Sequence, residues 1–120
     1  MAKILIIDDE PMTTEMLTTF LRIIGHTAVE AFNGRQGWDK LAYEAPDALL
    51  LDIMLPDENG LDICRDLRAA PETANLPIIM ISAHSPPMIA EAQAAGANDY
   101  LSKPISLADL KTALSALGVT

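Results

Sequence analysis

The sequence contains few of the residues that disulfide-bonded and nucleic-acid-binding proteins need. Its 120 residues include one cysteine, Cys64, one tryptophan, two tyrosines and two phenylalanines, and eight lysines and arginines are scattered among seventeen acids. A single cysteine cannot form an internal disulfide, so nothing requires an oxidising compartment. Phosphate contacts need clustered basic residues, and we therefore expect no direct binding to nucleic acid.

The sequence also lacks a segment that would place it in a membrane. No apolar stretch approaches the roughly 20 residues that a membrane-spanning helix needs, and the first apolar run follows Lys3 too closely for a signal peptide. We expect a soluble cytoplasmic protein with no membrane partner. Apolar residues make up 50% of the chain and the net charge is −9 at pH 7. This balance favours one compact domain over residues 1–120 that binds basic or protein partners.

Short apolar runs alternate with stretches of helical period along the whole chain. The runs are typical of buried strands in a parallel sheet. Right-handed crossovers put helices on both faces of such a sheet. The pattern predicts an α/β, flavodoxin-like three-layer sandwich with a five-stranded parallel sheet of order 2-1-3-4-5. The predicted strands cover residues 4–7, 27–31, 48–51, 78–81 and 98–101.

Capping residues predict where the helices begin. Pro11 is favoured in the first turn of the first helix, and Ser106 opens the last one. Ser85 is expected to cap the fourth helix, with Pro86 and Pro87 in its first turn.

Polar residues follow four of the predicted strands at the point where each strand ends. Asp8 and Asp9 follow the first strand, Asp52 the third, Ser82 the fourth and Lys103 the fifth. The carboxyl ends of parallel strands meet at one edge of a sheet, where such folds bind their ligands. Three acids, a hydroxyl and a lysine at this edge indicate a Mg²⁺ site around an aspartate that accepts a phosphoryl group.

Four segments together resemble the receiver domains of two-component response regulators, over the whole chain. They are IIDDE after the first strand, LLLDIMLPDENG around the third, IMISAH at the fourth and AGANDYLSKPIS across the fifth. Each segment alone is weakly specific. Their order and their positions at strand ends make the resemblance specific.

The resemblance implies a phosphoacceptor and a metal site. Asp52 would accept the phosphoryl group. Asp9 and Asp52 would bind Mg²⁺ directly and Asp8 through water, and the backbone carbonyl of Met54 would complete the protein ligands. Hard oxygen ligands of this kind are what Mg²⁺ prefers.

Further residues would surround the phosphoryl group. Lys103 would neutralise one oxygen of the phosphoryl group. Pro104 would hold the turn that carries Lys103 through a cis Lys-Pro bond, and the small side chain of Ala83 would leave space for the phosphoryl group. Ser82 would donate a hydrogen bond. Tyr100 stands where the family has an aromatic side chain that moves inward when the hydroxyl residue shifts.

Each of these residues also has an ordinary explanation. One of the acids after the first strand could merely cap the first helix, Lys103 could be a solvated lysine, and Ser82 could simply close a strand. Tyr100 could be a core aromatic that never moves. His26 is expected at the surface.

The resemblance also implies partners. A sensor histidine kinase or a histidine phosphotransfer protein would dock at the first helix and the strand-five loop and donate the phosphoryl group. An output protein or effector domain would read the face of the fourth helix, fifth strand and fifth helix. We expect a monomer or a weak phosphorylation-dependent dimer, either a stand-alone regulator or part of a longer protein.

The competing class is a Mg²⁺-dependent phosphohydrolase with an aspartyl-phosphate intermediate. Such hydrolases carry a second acid two residues past the nucleophile as a general acid, and here that position is Met54. We therefore expect self-phosphorylation and autodephosphorylation only, with no external substrate turned over.

Overall fold

The computed structural model describes residues 1–120 as one five-stranded parallel sheet with the strand order β2-β1-β3-β4-β5. The strands are β1 (Lys3–Ile7), β2 (Thr27–Ala31), β3 (Ala48–Asp52), β4 (Ile78–Ser82) and β5 (Asp99–Ser102). The helices are α1 (Pro11–Ile23), α2 (Gly34–Glu44), α3 (Gly60–Ala69), α4 (Ile89–Ala95) and α5 (Leu107–Ala116). The predicted fold class and strand order are confirmed.

The centre of the sheet is buried because both of its faces are covered by helices. All five residues of β3 and all five of β4 are buried. Continuous apolar strands of this kind suit a parallel sheet, since no face is left to solvent. Asp52 pairs in register with Ile81 and Ser82 with Ser102, so the polar strand ends lie side by side at one edge.

Successive residues of each strand point to opposite faces, and this alternation divides the core into two layers. Ile4 and Ile6 of β1 pack in one layer with residues of α1 and α5, whereas Leu5 and Ile7 pack in the other with residues of α3 and α4. The apolar stripe of α1 faces the sheet, since Leu17 and Leu21 are fully buried. The remaining members of that stripe, packed at the margin of the same layer, are Met16, Phe20 and Ile24.

The predicted start of α4 is wrong. The helix begins at Ile89 with Met88 as its N-cap, so Ser85 does not cap it and neither proline lies in its first turn. Pro87 explains the difference, because a residue that precedes proline is pushed out of the helical region, and here that residue is Pro86. The helix therefore starts only after both prolines.

The predicted surface position of His26 is also wrong. The residue is buried, and its Nδ1 accepts a hydrogen bond from the backbone N–H of Ala2 at 3.0 Å. Burial, helped by the positive chain terminus, lowers the pKa of His26. The ring is therefore held in its neutral form.

None of the helices is both long enough and apolar enough to span a membrane.

Candidate functional site

Three carboxylates meet at the carboxyl edge of the sheet. Asp8 follows β1 and is fully buried, Asp52 ends β3 and is 3% exposed, and Asp9 is exposed. One ligand atom from each of the three lies within 4.8 Å of the others. The topology causes this convergence, because β1 and β3 are neighbours in the sheet.

The helix-capping explanation for Asp8 and Asp9 does not hold. The N-cap of α1 is Glu10, and no side chain caps the helix. Asp8 Oδ1 accepts the backbone N–H of Glu10 at 2.9 Å, one residue before the helix, and Asp9 forms no hydrogen bond. Both acids are therefore available for another purpose.

Lys103 is the only cation among these acids. Its Nζ lies 2.7 Å from Asp8 Oδ2, 2.8 Å from Glu10 Oε1 and 3.2 Å from Asp52 Oδ2. Burial by itself would lower the pKa of Lys103, but the acids outweigh it and the pKa is raised. The ammonium group is therefore firmly charged and shared among three carboxylates. The structure contradicts the view of Lys103 as an ordinary solvated lysine, since its side chain is only 11% exposed.

Because Lys103 is shared among three carboxylates, its positive charge does not fully compensate the negative charge of Asp52. Burial, together with the negative charge of Asp8, raises the pKa of Asp52 to about 6, although Lys103 and the backbone N–H of Met54 act in the opposite direction. A raised carboxyl pKa in a cleft is typical of a functional site.

The donor set fits a hard divalent cation. Four acids and one lysine meet here, so the site carries an excess of negative charge. Asp8 Oδ2 is a buried oxygen whose close neighbour is Lys103 Nζ, 2.7 Å away. A buried carboxylate oxygen beside other oxygen donors is the kind of ligand that Mg²⁺ prefers.

Ser82 and Tyr100 both hold the segment between β4 and α4. Ser82 is fully buried, and its Oγ accepts the backbone N–H of His84 at 3.0 Å. The hydroxyl of Tyr100 accepts the backbone N–H of Met88, the N-cap of α4, at 3.1 Å. Ala83, which lies between Ser82 and His84, is exposed. The hydroxyl proton of Ser82 is not used in these contacts and is free to be donated.

The turn after β5 carries Lys103 to the acids. The Lys103-Pro104 peptide bond is cis, as predicted, and Pro104 is exposed. The backbone N–H of Lys103 donates to the carbonyl of Ser82 at 2.9 Å. This bond ties the lysine to the end of β4 and so fixes its distance from Asp52.

The segment after Asp52 folds back on itself and is fixed at both ends. Met54 and Asn59 form an isolated antiparallel bridge, and Met54 donates its backbone N–H to Asp52 Oδ1 at 3.2 Å. A side chain at Gly60 would place its Cβ in direct collision with the backbone carbonyl of Asp52. Gly60 therefore allows the chain to turn back beside the acceptor, while the Met54 side chain points outward and is 60% exposed.

Two contacts around the site were not predicted from the sequence. Glu10 pairs with Lys103, and Asp57 accepts the backbone N–H groups of Gly34 and Arg35 at 2.8 Å and 3.1 Å. The three consecutive acids after β1 were a signal for Glu10. Nothing local signals that Asp57 binds the first turn of α2, because the partners are more than 20 residues apart.

Fold and site together define a doubly wound domain with an acidic, lysine-containing site at its carboxyl edge, and comparison with known proteins gives the family. The family model of the response regulator receiver domain matches residues 4–115. The response regulator MprA of Mycolicibacterium vanbaalenii is 37% identical over 118 residues, which cover 96% of this chain and 49% of the relative. MprA of Mycobacterium tuberculosis is also 37% identical, over 96% of this chain and 50% of the relative. The chain belongs to the response regulator receiver domains, and it spans about half the length of these curated relatives.

Solved structures agree with this assignment. The signal receiver domain of a DNA-binding response regulator from Colwellia psychrerythraea has a TM-score of 0.89 at 29% identity and covers 98% of both chains. The receiver domain of the sensor histidine kinase PA1611 from Pseudomonas aeruginosa, described with a magnesium ion coordinated in its active-site cleft, has a TM-score of 0.85 at 29% identity and covers 98% of both chains. Receiver domains act in signalling, which is the functional class of this chain.

Proposed function

We propose that this chain is a phosphoacceptor that receives a phosphoryl group on Asp52 and uses it to change a binding surface. The observation that carries the proposal is the position of Asp52, a buried carboxylate 3.2 Å from Lys103 Nζ beside two further aspartates. A carboxylate can attack phosphorus to give an acyl phosphate. Phosphoryl transfer depends mainly on positioning and on charge neutralisation, and Lys103 contributes a positive charge beside Asp52.

Each neighbour of Asp52 has a proposed role. Lys103 turns its ammonium group to an oxygen of the incoming phosphoryl group, and Ser82 donates its free hydroxyl proton to another. Asp8, Asp9, Asp52 and the carbonyl of Met54 are the groups that would hold Mg²⁺. When bound, Mg²⁺ supplies positive charge that offsets the charge of the transferred group.

The proposed output follows from the contacts of the β4–α4 segment. Ser82 and Tyr100 each bind a backbone N–H of this segment, at its two ends. If Ser82 moves toward a phosphoryl oxygen, the hydrogen bond to His84 changes and the segment shifts with it. The face formed by α4, β5 and α5 would then present a different surface to an output protein or effector domain.

The proposed donor is a phosphohistidine of a sensor histidine kinase or of a histidine phosphotransfer protein. Family membership supports this partner, and α1 and the turn after β5 flank the site where the donor would dock. The curated relatives are about twice as long as this chain. We propose the phosphoacceptor role for this chain whether it acts alone or as part of a larger protein.

The phosphohydrolase alternative is not favoured by the site. Met54 stands where a hydrolase has its general acid, and a thioether cannot donate a proton. The two acids that follow it are engaged elsewhere, since Asp57 binds the first turn of α2 and Glu58 accepts from Trp38 Nε1 at 3.4 Å. No other acid in this segment is placed to act on a leaving group.

The proposal is tested by labelling with acetyl phosphate. We expect the wild-type protein to gain one phosphoryl group in the presence of Mg²⁺, detected as a mass increase, and to gain none when the metal is chelated. Asp52→Asn should abolish the labelling because an amide is not a nucleophile for phosphorus. Asp66→Asn is the matched control, since Asp66 is exposed on α3 and forms no ion pair or hydrogen bond.

Two results would overturn the site assignment. One is full labelling of Asp52→Asn, which would place the acceptor elsewhere. The other is labelling of the wild type that is unaffected by the chelator. Circular dichroism of the variant should match that of the wild type, which separates loss of the acceptor from loss of the fold.

A further inference from the structure

Glu10 is an acid of the site that the proposed chemistry does not use. It directly precedes α1, its side chain is 59% exposed, and its Oε1 lies 2.8 Å from Lys103 Nζ. A glutamate carboxylate is ionised at neutral pH, and that of Glu10 is largely open to solvent. The site therefore has a fixed negative charge at its solvent-facing mouth.

This charge lies close to the position of the transferred group. Glu10 Oε1 is 2.8 Å and Asp52 Oδ2 3.2 Å from the same Lys103 Nζ, so the two oxygens are no more than about 6 Å apart. A phosphoryl group bonded to Asp52 therefore lies close to the Glu10 carboxylate. It must also share Lys103 with Glu10, because the lysine has to turn toward a phosphoryl oxygen.

We infer that Glu10 is a specificity-determining residue that disfavours small, highly anionic phosphodonors. The inference depends on the proposed function, since it concerns the donor of the group that Asp52 receives. A protein donor can offset Glu10 with a basic side chain placed beside its phosphohistidine. A free dianion has no such compensation, so this acid favours transfer from a protein with a basic surface around the phosphohistidine.

The transfer itself is the same for both kinds of small donor, which makes them useful probes. With acetyl phosphate, an Asp52 oxygen forms a bond to phosphorus while the bond from phosphorus to the acyl oxygen breaks, and acetate leaves with the electron pair. With phosphoramidate, the phosphorus–nitrogen bond breaks and ammonia leaves with the electron pair. Acetyl phosphate is a dianion at neutral pH, whereas phosphoramidate, protonated on nitrogen, carries a net single negative charge.

The experiment compares labelling rates of Glu10→Gln and the wild type with the two donors at pH 7 and saturating Mg²⁺. Removing one negative charge about 6 to 8 Å from the phosphoryl group should raise the rate with acetyl phosphate by about threefold to fivefold at low ionic strength. The rise with phosphoramidate should be about half as large on a logarithmic scale, because the donor carries half the charge. Both increases should shrink at about 0.5 M KCl.

Glu15→Gln is the matched control. Glu15 is an exposed acid on α1 whose side chain forms no ion pair or hydrogen bond, so this variant has the same net charge as Glu10→Gln. Its rates should stay close to those of the wild type. Gln at position 10 keeps an oxygen that can accept from Lys103, so the position of the lysine is conserved.

The outcomes separate this inference from the proposed function. If the wild type gains label at Asp52 and Glu10→Gln responds like Glu15→Gln, the inference is overturned while the function stands. Equal acceleration with both donors, unaffected by salt, also overturns it, since a structural effect would not depend on donor charge. If neither the wild type nor Glu10→Gln gains label at Asp52 from either donor, the proposed function fails and the inference fails with it.

Discussion

Replacing Lys103 with methionine should destabilise the metal-free protein far more than the loss of an ordinary surface lysine. Asp8 is fully buried and Asp52 nearly so, and Lys103 is the only cation in contact with either. Removing one partner of a buried ion pair leaves an uncompensated charge and costs about 3 to 5 kcal/mol. The contact with the exposed Glu10 adds little to this, because solvent screens such pairs.

Urea unfolding in EDTA at neutral pH measures the effect. With a slope of about 1 to 2 kcal/mol per molar urea, the midpoint of Lys103→Met should fall by about 1.5 M or more. Methionine is unbranched and of similar length, so the change removes charge with little change in shape. Lys111→Met is the control, since Lys111 is exposed on α5 and forms no ion pair; its midpoint should match that of the wild type.

Added Mg²⁺ should reduce the difference. The variant site has lost a positive charge, so it should bind the ion more tightly than the wild type does, and each tenfold gain in affinity returns about 1.4 kcal/mol of stability at saturation. The double variant Asp8→Asn/Lys103→Met should recover most of the loss in EDTA, since only one buried carboxylate then remains. If Lys103→Met lies within about 1 kcal/mol of Lys111→Met in EDTA, then the account of three acids sharing one essential cation is refuted.

Two further predictions concern pH and time. Because the pKa of His26 is lowered in the folded protein, its contribution to stability is fully present above pH 6.5, the ordinary histidine value, and is lost as the pH falls below it. The wild type should therefore lose more stability between pH 7 and 5 than His26→Asn, whose side-chain oxygen can still accept from Ala2 N–H; equal losses in urea titrations would contradict this. The phosphoryl group on Asp52 should persist for minutes or longer, because Met54 offers no group to orient an attacking water. Loss of the mass label within seconds would contradict it.

The strands and the meeting of their polar ends could be predicted because both depend on short-range patterns. A buried parallel strand is a continuous apolar run. Such runs predict the ends of β3 and β4 to within about one residue, since these strands end at Asp52 and Ser82. Parallel topology then brings those ends to one edge. For this reason the acids and the lysine could be placed together from the sequence. The roles of these residues in phosphoryl transfer stay predictions.

The start of α4 and the burial of His26 could not be predicted as easily. Proline in the first turn of a helix is a good signal, but two consecutive prolines conflict, since the second excludes helical backbone at the first. The buried ring of His26 accepts a hydrogen bond from Ala2, which lies 24 residues away. No local pattern indicates a partner at that distance.

Glu10 shows why a correct list of acids does not give the electrostatics of a site. Acids before a helix are usually explained as caps, yet α1 has no side-chain cap, and the Glu10 carboxylate instead contacts a lysine 93 residues away. Asp8 and Glu10 are thereby left to compete for Lys103. The charge balance around Asp52 is consequently set by how the chain enters α1, which only the folded structure defines.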